Sequence, residues 1–382
     1  TAIQQFRVET PSWGYGNSGT RFKVFPWPGA ARNLREKLED AAMVQKVTGI
    51  CPGVAIHIPW DKEDDWQATK EYAAHLGLHL GAVNPNLFQD TEYRFGSLCH
   101  PDKSVRCKAI EHIQECIEIA RRTGSDTISL WLADGTNYPG QDDLRERRHR
   151  LTESLTETYA ALGNDLRLLI EYKFFEPAFY HTDLPDWGTA YTLATRLGPQ
   201  ALVLVDTGHH PQGTNLAHIV SILLDEERLG GFHFNDRKYA DDDLIVGSLN
   251  PLDLFLVFNE LVAAGEQNVN PRVDYMIDQS HNIEPKIEAM IQSLLHIQSA
   301  HAKALLVDRP RLKAAQVAGD TLEAYRILRD AFDTDVRPLL ERARVESGLD
   351  PDPIAAFRRS GYAEKVAQER GSAQAASGYP GA

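Results

Sequence analysis

The sequence predicts a (β/α)8 barrel followed by a C-terminal helical extension. Three observations predict it. From Val54 onward, short apolar β-prone runs alternate with longer stretches of helical period, as in consecutive βα units of a parallel sheet. One further such pair near the N-terminus brings the count to the eight that closes a barrel. After Leu305 the pattern is helical only. At about 150 residues per domain, 382 residues would make two or three domains, but a barrel of this kind absorbs most of that length.

The first expected strand is Phe6–Glu9, followed by a loop and the amphipathic stretch Ala31–Val47. The next strands are expected at Val54–Ile58, Leu80–Val83, Thr127–Leu132, Leu166–Tyr172, Ala201–Asp206, Gly231–Asn235 and Val273–Asp278. The intervening helices are expected near 65–77, 103–122, 142–162, 187–197, 215–226, 251–264 and 284–305. An open doubly wound sheet is the structural alternative, and no internal repeat of fixed period is visible. Residues 1–305 thus read as the barrel and 306–366 as the extension, with helices at Leu312–Ile327 and Val336–Val345. Residues 367–382 hold Gly, Ser, Ala and Gln with almost nothing large and apolar to bury, so a flexible tail is expected.

Composition bounds the function. Hydrophobic residues at 42% and charged residues at 25% are the balance of a soluble globular protein. The 54 acidic side chains outnumber the 40 basic ones, a net charge of -14, which disfavours nucleic acid and anionic membrane surfaces as partners. It leaves open the binding of hard divalent cations. Cys51, Cys99, Cys107 and Cys116 form no Cys-x-x-Cys pair and are too sparse for a disulfide framework, which fits a reducing cytoplasm. No signal-peptide pattern opens the sequence, and no apolar run approaches the roughly 18 residues of a membrane span.

Several familiar motifs fail on context. Gly14-Tyr15-Gly16-Asn17-Ser18-Gly19 satisfies Gly-x-Gly-x-x-Gly, but Thr20–Gly29 with Pro26 and Pro28 cannot supply the helix a dinucleotide needs. Cys99, His100 and Cys107 have no zinc-knuckle spacing and no fourth ligand nearby. Neither a Gly-x-Ser-x-Gly elbow nor a P-loop is present.

In a parallel barrel the reacting groups sit at the C-terminal ends of strands. Here those ends are polar: His57, Asn84, Trp131, Glu171 with Lys173, Asp206 with His209, His233 with Asn235 and Asp236, and Asp278 with Gln279. Any one of them could be an ordinary cap. Glu171, Asp206, His233 and Asp278, however, come from four successive strands, and three carboxylates converging at one mouth require a cation to stay ionised together. Oxygen ligands with one imidazole suit Mn²⁺ or Mg²⁺ and also accept Co²⁺ or Zn²⁺.

A second set lies beside the first. If Asp241-Asp242-Asp243 is extended, alternation turns Asp241 and Asp243 to one side, where they could join His209 in a second metal site; a solvated loop is the plainer reading of three consecutive aspartates. Lys173 faces the same way as Glu171 and could set an ammonium beside an incoming oxygen, while Trp131 with His57 could wall the CH face of a sugar.

Glu171-Tyr-Lys173, Asp206-Thr-Gly-His209-His, His233-Phe-Asn-Asp, Asp241-Asp-Asp243, Val-Asp-Tyr-Met-Ile-Asp278-Gln and the stretch Thr10–Phe22 together resemble the bacterial L-rhamnose isomerases of the broad-specificity, Pseudomonas-type branch. The resemblance covers about Thr10 to Asn282. It implies a metal-dependent aldose–ketose isomerase on a (β/α)8 barrel, in the broad superfamily of xylose isomerase, working as a homotetramer with two divalent ions per subunit, Mn²⁺ foremost. Glu171, Asp206, His233 and Asp278 match the structural metal. His209, Asp241 and Asp243 match the catalytic metal. Lys173, Trp131 and His57 match substrate contacts, and Phe22 matches a loop residue that closes a neighbouring subunit's site.

The reaction so implied takes L-rhamnose to L-rhamnulose, with L-lyxose, L-mannose and D-allose as related substrates. His57 would assist ring opening, and hydrogen would then pass between C1 and C2 as hydride. An enediol route needs a base, for which Asp278 is poorly suited once it serves as a ligand. The alternatives are a ketose 3-epimerase or hydroxypyruvate isomerase of the same superfamily, which would use one metal, and a non-catalytic sugar-binding barrel.

Overall fold

In the computed structural model, which describes residues 2–18, 24–176, 179–239, 241–267, 269, 271–281 and 283–371, the β-prone runs lie side by side as eight parallel strands. They are β1 (Glu9–Pro11), β2 (Gly53–Ile58), β3 (His79–Pro85), β4 (Thr127–Leu130), β5 (Arg167–Glu171), β6 (Ala201–Asp206), β7 (Leu229–Phe234) and β8 (Asp274–Ile277). Each pairs with its sequence neighbours and β8 pairs with β1, so the sheet closes into the expected barrel rather than the open alternative.

β1 departs from expectation. The paired residues begin where the expected strand ended, and Phe6 instead stacks on His301 at 4.4 Å and meets Phe258 edge-on at 5.7 Å. Phe6 therefore belongs to packing outside the sheet.

The barrel helices are α1 (Leu34–Thr48), α2 (Trp66–His75), α3 (Lys103–Thr123), α4 (Leu144–Ala161), α5 (Trp187–Leu197), α6 (Leu216–Asp225), α7 (Pro251–Glu266) and α8 (Lys286–Ala304). The first six start on an Asp or Asn whose side chain accepts a first-turn N–H: Asn33, Asp65, Asp102, Asp143, Asp186 and Asn215. Each such cap stabilises its helix by about 1 kcal/mol. Apolar faces such as Ile110, Ile113 and Ile117 of α3 pack inward in a single large core.

Two bulges adjust register. Val54 pairs with Leu80 but Ile56 with Val83, so β3 carries an extra residue; Val203 pairs with Leu229 but Leu204 with Gly231, so β7 carries one too. Glu9 Oε1 accepts the Ala82 N–H at 2.8 Å inside the first bulge, and a Cβ on Gly81 would fall 1.9 Å from Glu9 Oε2. At Gly230 a Cβ would meet Leu169 at 2.4 Å. Past the bulges, His57 lies opposite Asn84 and Asp206 opposite His233.

Beyond α8 run α9 (Arg309–Ala318), α10 (Thr321–Asp333), α11 (Arg337–Glu346), α12 (Pro353–Arg359) and α13 (Tyr362–Arg370). The single helix expected at Leu312–Ile327 is two, because Gly319 turns left-handed (φ 71°) and Asp320 caps α10. The boundary expected at 367 also moves: α13 continues to Arg370, whose buried guanidinium bonds Asp40 at 2.8 Å and the Gly29 carbonyl at 3.0 Å. Residues 372–382 lie outside the described residues. No helix among the described residues is long and apolar enough to cross a membrane.

Candidate active site

The C-terminal ends of the strands surround a cavity whose lining includes Glu171, His233, Asp278, His209, Asp241 and Asp243. Ligand atoms of Glu171 (end of β5), Asp206 (end of β6), His233 (in β7) and Asp278 (just past β8) all lie within 4.8 Å of one another. His233 Nδ1 is 3.2 Å from Glu171 Oε2 and 3.6 Å from Asp278 Oδ2. Trp13, in the turn after β1, donates its indole N–H to Asp278 Oδ1 at 2.9 Å.

His209 bridges toward the second set. Its Nδ1 is 3.2 Å from Glu171 Oε1, and its Nε2 is 3.0 Å from Asp241 Oδ1 and 3.9 Å from Asp206 Oδ2. Asp241 and Asp243 do face one cavity, though not by alternation of an extended chain. Both are left-handed, with φ of 49° and 47°, and Asp242 turns away to accept the N–H groups of Lys238 and Tyr239. Two non-glycine residues in this region store strain at the site.

The electrostatics follow from burial and crowding. Burial pushes Asp206 up to about 7, with Glu171 and Asp278 adding to the rise against the pull of His209. Burial, then Asp241, Asp278 and Asp206, raise Asp243 well above the carboxylate range. Burial works against the charged imidazole of His233, but Glu171, Asp278 and Asp206 outweigh it and hold it up to about 9. The same opposition in Glu171 is settled by His233 and His209, which keep it ionised.

A divalent cation fits this donor set. Both nitrogens of His233 and Oε1 of Glu171 are buried without a hydrogen bond, and one ligand atom from each of Glu171, Asp206, His233 and Asp278 lies within 4.8 Å of the others, so a single ion could take them together. Glu171, Asp206, His233 and Asp278 would hold one ion, and His209, Asp241 and Asp243 a second. A different acidic group is already neutralised: beside Cys99, Asp134 and Asp183, the buried Arg147 sits 2.6 Å from Asp183 and 2.9 Å from the Cys99 sulfur.

The expected substrate-contact positions share the cavity. Lys173 Nζ lies 2.6 Å from both Asp241 Oδ2 and Glu176 Oε1 and 5.1 Å from the centre of the Trp131 ring. Burial opposes its charge, but Asp241 and Glu176 raise its pKa above the lysine range. His57 stacks on Trp60 at 3.8 Å, and Phe88 meets His57, Trp60 and Trp131 edge-on. Burial, with Lys37 and His112, keeps the His57 imidazole neutral. Phe22 lies outside the described residues.

Some strand-end polar residues serve the scaffold instead. Asp236 accepts from Leu249 N, Asn250 N and Asn250 Nδ2, and the fully buried Gln279 accepts the Ser293 hydroxyl. The sequence pattern places Asn235 among the polar strand ends without a task and does not single out Trp13, Trp60 or Phe88. Trp13 lies inside the Thr10–Phe22 stretch that carries part of the resemblance, and Asn235 sits two residues after His233.

Residues 26–284 match the xylose isomerase-like TIM barrel family. The chain belongs to that family. It is 47% identical over 374 residues to a probable sugar isomerase of Rhizobium meliloti (strain 1021), covering 96% of this chain and 87% of the relative. It is 25% identical over 285 residues to a xylose isomerase of Thermus thermophilus, covering 67% of this chain and 69% of that enzyme. Among solved structures, an L-ribulose 3-epimerase shares the fold with a TM-score of 0.60 at 15% identity, over 80% of this chain and 98% of that one.

Proposed function

We propose that the chain is a divalent-metal-dependent aldose–ketose isomerase that converts L-rhamnose to L-rhamnulose and accepts L-lyxose, L-mannose and D-allose. The observation that carries this reading is the pair of adjoining ligand sets in one cavity, Glu171, Asp206, His233 and Asp278 beside His209, Asp241 and Asp243. The relatives support the coarser class of sugar isomerase or epimerase. The finer choice rests on the motif resemblance and on an aromatic wall suited to the CH face of a sugar.

The side chains have separable tasks. His57, neutral and facing the cavity, takes the O1 hydroxyl proton as the C1–O5 bond breaks and returns it to O5, so the sugar ring opens with no net proton transfer. Lys173, fixed between two carboxylates, orients a substrate oxygen with its ammonium. Trp131, Trp60 and Phe88 exclude water from the reacting carbons. Two divalent ions, Mn²⁺ before Co²⁺, Mg²⁺ or Zn²⁺, supply Lewis-acid polarisation of the sugar's C1–C2 oxygens when bound. Asp278 is occupied by the Trp13 indole and by its role as a ligand, so it is not a free base; the hydrogen passes directly from C2 to C1 as hydride while the O2 proton moves to O1.

An aldose panel assayed on chelated protein with each ion restored in turn tests the proposal. Conversion of L-rhamnose restored by Mn²⁺ supports it; binding of aldoses without turnover, or 3-epimerisation of ketoses with one ion per chain, would replace it. In D2O the product should carry no deuterium at C1 or C2, whereas incorporation would establish the enediol route. We further propose a homotetramer built with the help of α9–α13, to be checked by light scattering.

A further inference from the structure

Asn235 follows directly on β7 and is 3% exposed. Its backbone is tied to the end of β6: its N–H donates to Thr207 Oγ1 at 3.0 Å, and that hydroxyl donates to the Asn235 carbonyl at 2.9 Å. The side chain is thereby aimed at Asp206. Nδ2 donates to both Asp206 oxygens at 3.0 Å and lies 3.5 Å from Asp243 Oδ1. One neutral amide thus touches a carboxylate from each ligand set.

The chain makes room for this amide. A Cβ on Gly208 would stand 2.4 Å from Asn235 Oδ1, and the Gly208 N–H itself donates to Asp206 Oδ1 at 2.6 Å. Oδ1 of Asn235 is buried with no hydrogen-bond partner, an energetic cost the site bears in order to keep the N–H side facing the carboxylates. A cation at this position would compete with a metal for the same oxygens, whereas an amide orients them and leaves the negative charge available.

We infer that Asn235 is a positioning residue that fixes the carboxylate plane of Asp206 and, through the same amide, sets the spacing of the two ion sites. The inference rests on the two-ion reading proposed above. Its test is calorimetric titration of the metal-free full chain with Mn²⁺, for the parent and for Asn235→Leu, Asn235→Ser and Gly208→Ala, with metal-free melting recorded alongside. Leucine keeps the branched shape without a donor, serine keeps a donor, and alanine at 208 displaces the amide without removing it.

The parent should bind two ions. Asn235→Leu should bind Mn²⁺ about 10- to 100-fold more weakly, Asn235→Ser should recover part of that loss, and Gly208→Ala should move in the direction of leucine. A parent that binds fewer than two ions overturns the two-ion reading and the inference with it. A parent that binds two, with Asn235→Leu unchanged in affinity, overturns the inference alone. Should the leucine chain fail to fold, Asn235→Ser and Gly208→Ala decide: undiminished affinity in both overturns the inference. Equal losses in serine and leucine, tracking lower metal-free melting, would likewise reduce Asn235 to a packing residue.

Discussion

Lys173 shows how much a single side chain can carry in this cavity. Its ammonium is the counter-charge for Asp241 and Glu176 and also lies over Trp131. Lys173→Met removes the charge while keeping much of the stem, so two neighbouring carboxylates lose their shared cation. With saturating Mn²⁺, kcat on L-rhamnose should fall at least about 10²-fold in steady-state assays. A variant within a few-fold of the parent would remove Lys173 from the substrate contacts. The sequence placed Lys173 beside Glu171 through the two-residue period of a strand. It gave no comparable handle on Trp60 or Phe88, which reach the site through loops that follow no period.

At the scale of elements, the bulge in β3 is held by a carboxylate. Burial raises Glu9 to about 7 from an ordinary 4.5, against the opposing bond from Ala82 N–H. The protonated form is therefore favoured on folding. Its contribution is fully present below about 4.5 and is lost as pH rises through about 7. In Glu9→Gln that pH dependence should vanish, so parent stability should decline relative to the variant between pH 4.5 and 7 in denaturant titrations; parallel curves would exclude the assignment. The strands themselves were legible: β6 stands where alternation put it, and the long amphipathic α3 within a residue. The bulges were not, because one extra residue leaves no mark in hydrophobic pattern. The left-handed Asp241 and Asp243 escaped for a similar reason, since only backbone geometry distinguishes them from an extended run. The short helices α12 and α13 carry too few turns for a period to stand out.

For the whole molecule, the two proposed ion sites would tie together the ends of four successive strands, β5 to β8, so occupancy and stability would be linked. Chelation should lower the melting temperature, and Mn²⁺ at about 100 times its Kd should restore about 2.7 kcal/mol per site; melting indifferent to chelator and ion would count against both sites. A second coupling is permanent. Arg370→Ala would remove the counter-charge of the buried Asp40, leaving it the Tyr362 hydroxyl, and should cost about 3–5 kcal/mol in equilibrium unfolding; a loss below about 1 kcal/mol would show that water replaces the guanidinium. The same helix end meets the segment near the N-terminus, where Gly29 N–H donates to the Gly371 carbonyl and Trp27 N–H to Asn17, four residues from the Trp13 that holds Asp278. A fusion partner or affinity tag joined just beyond Gly371 would therefore pull on a clasp that reaches Asp278 through three hydrogen bonds, Gly29 to Gly371, Trp27 to Asn17 and Trp13 to Asp278.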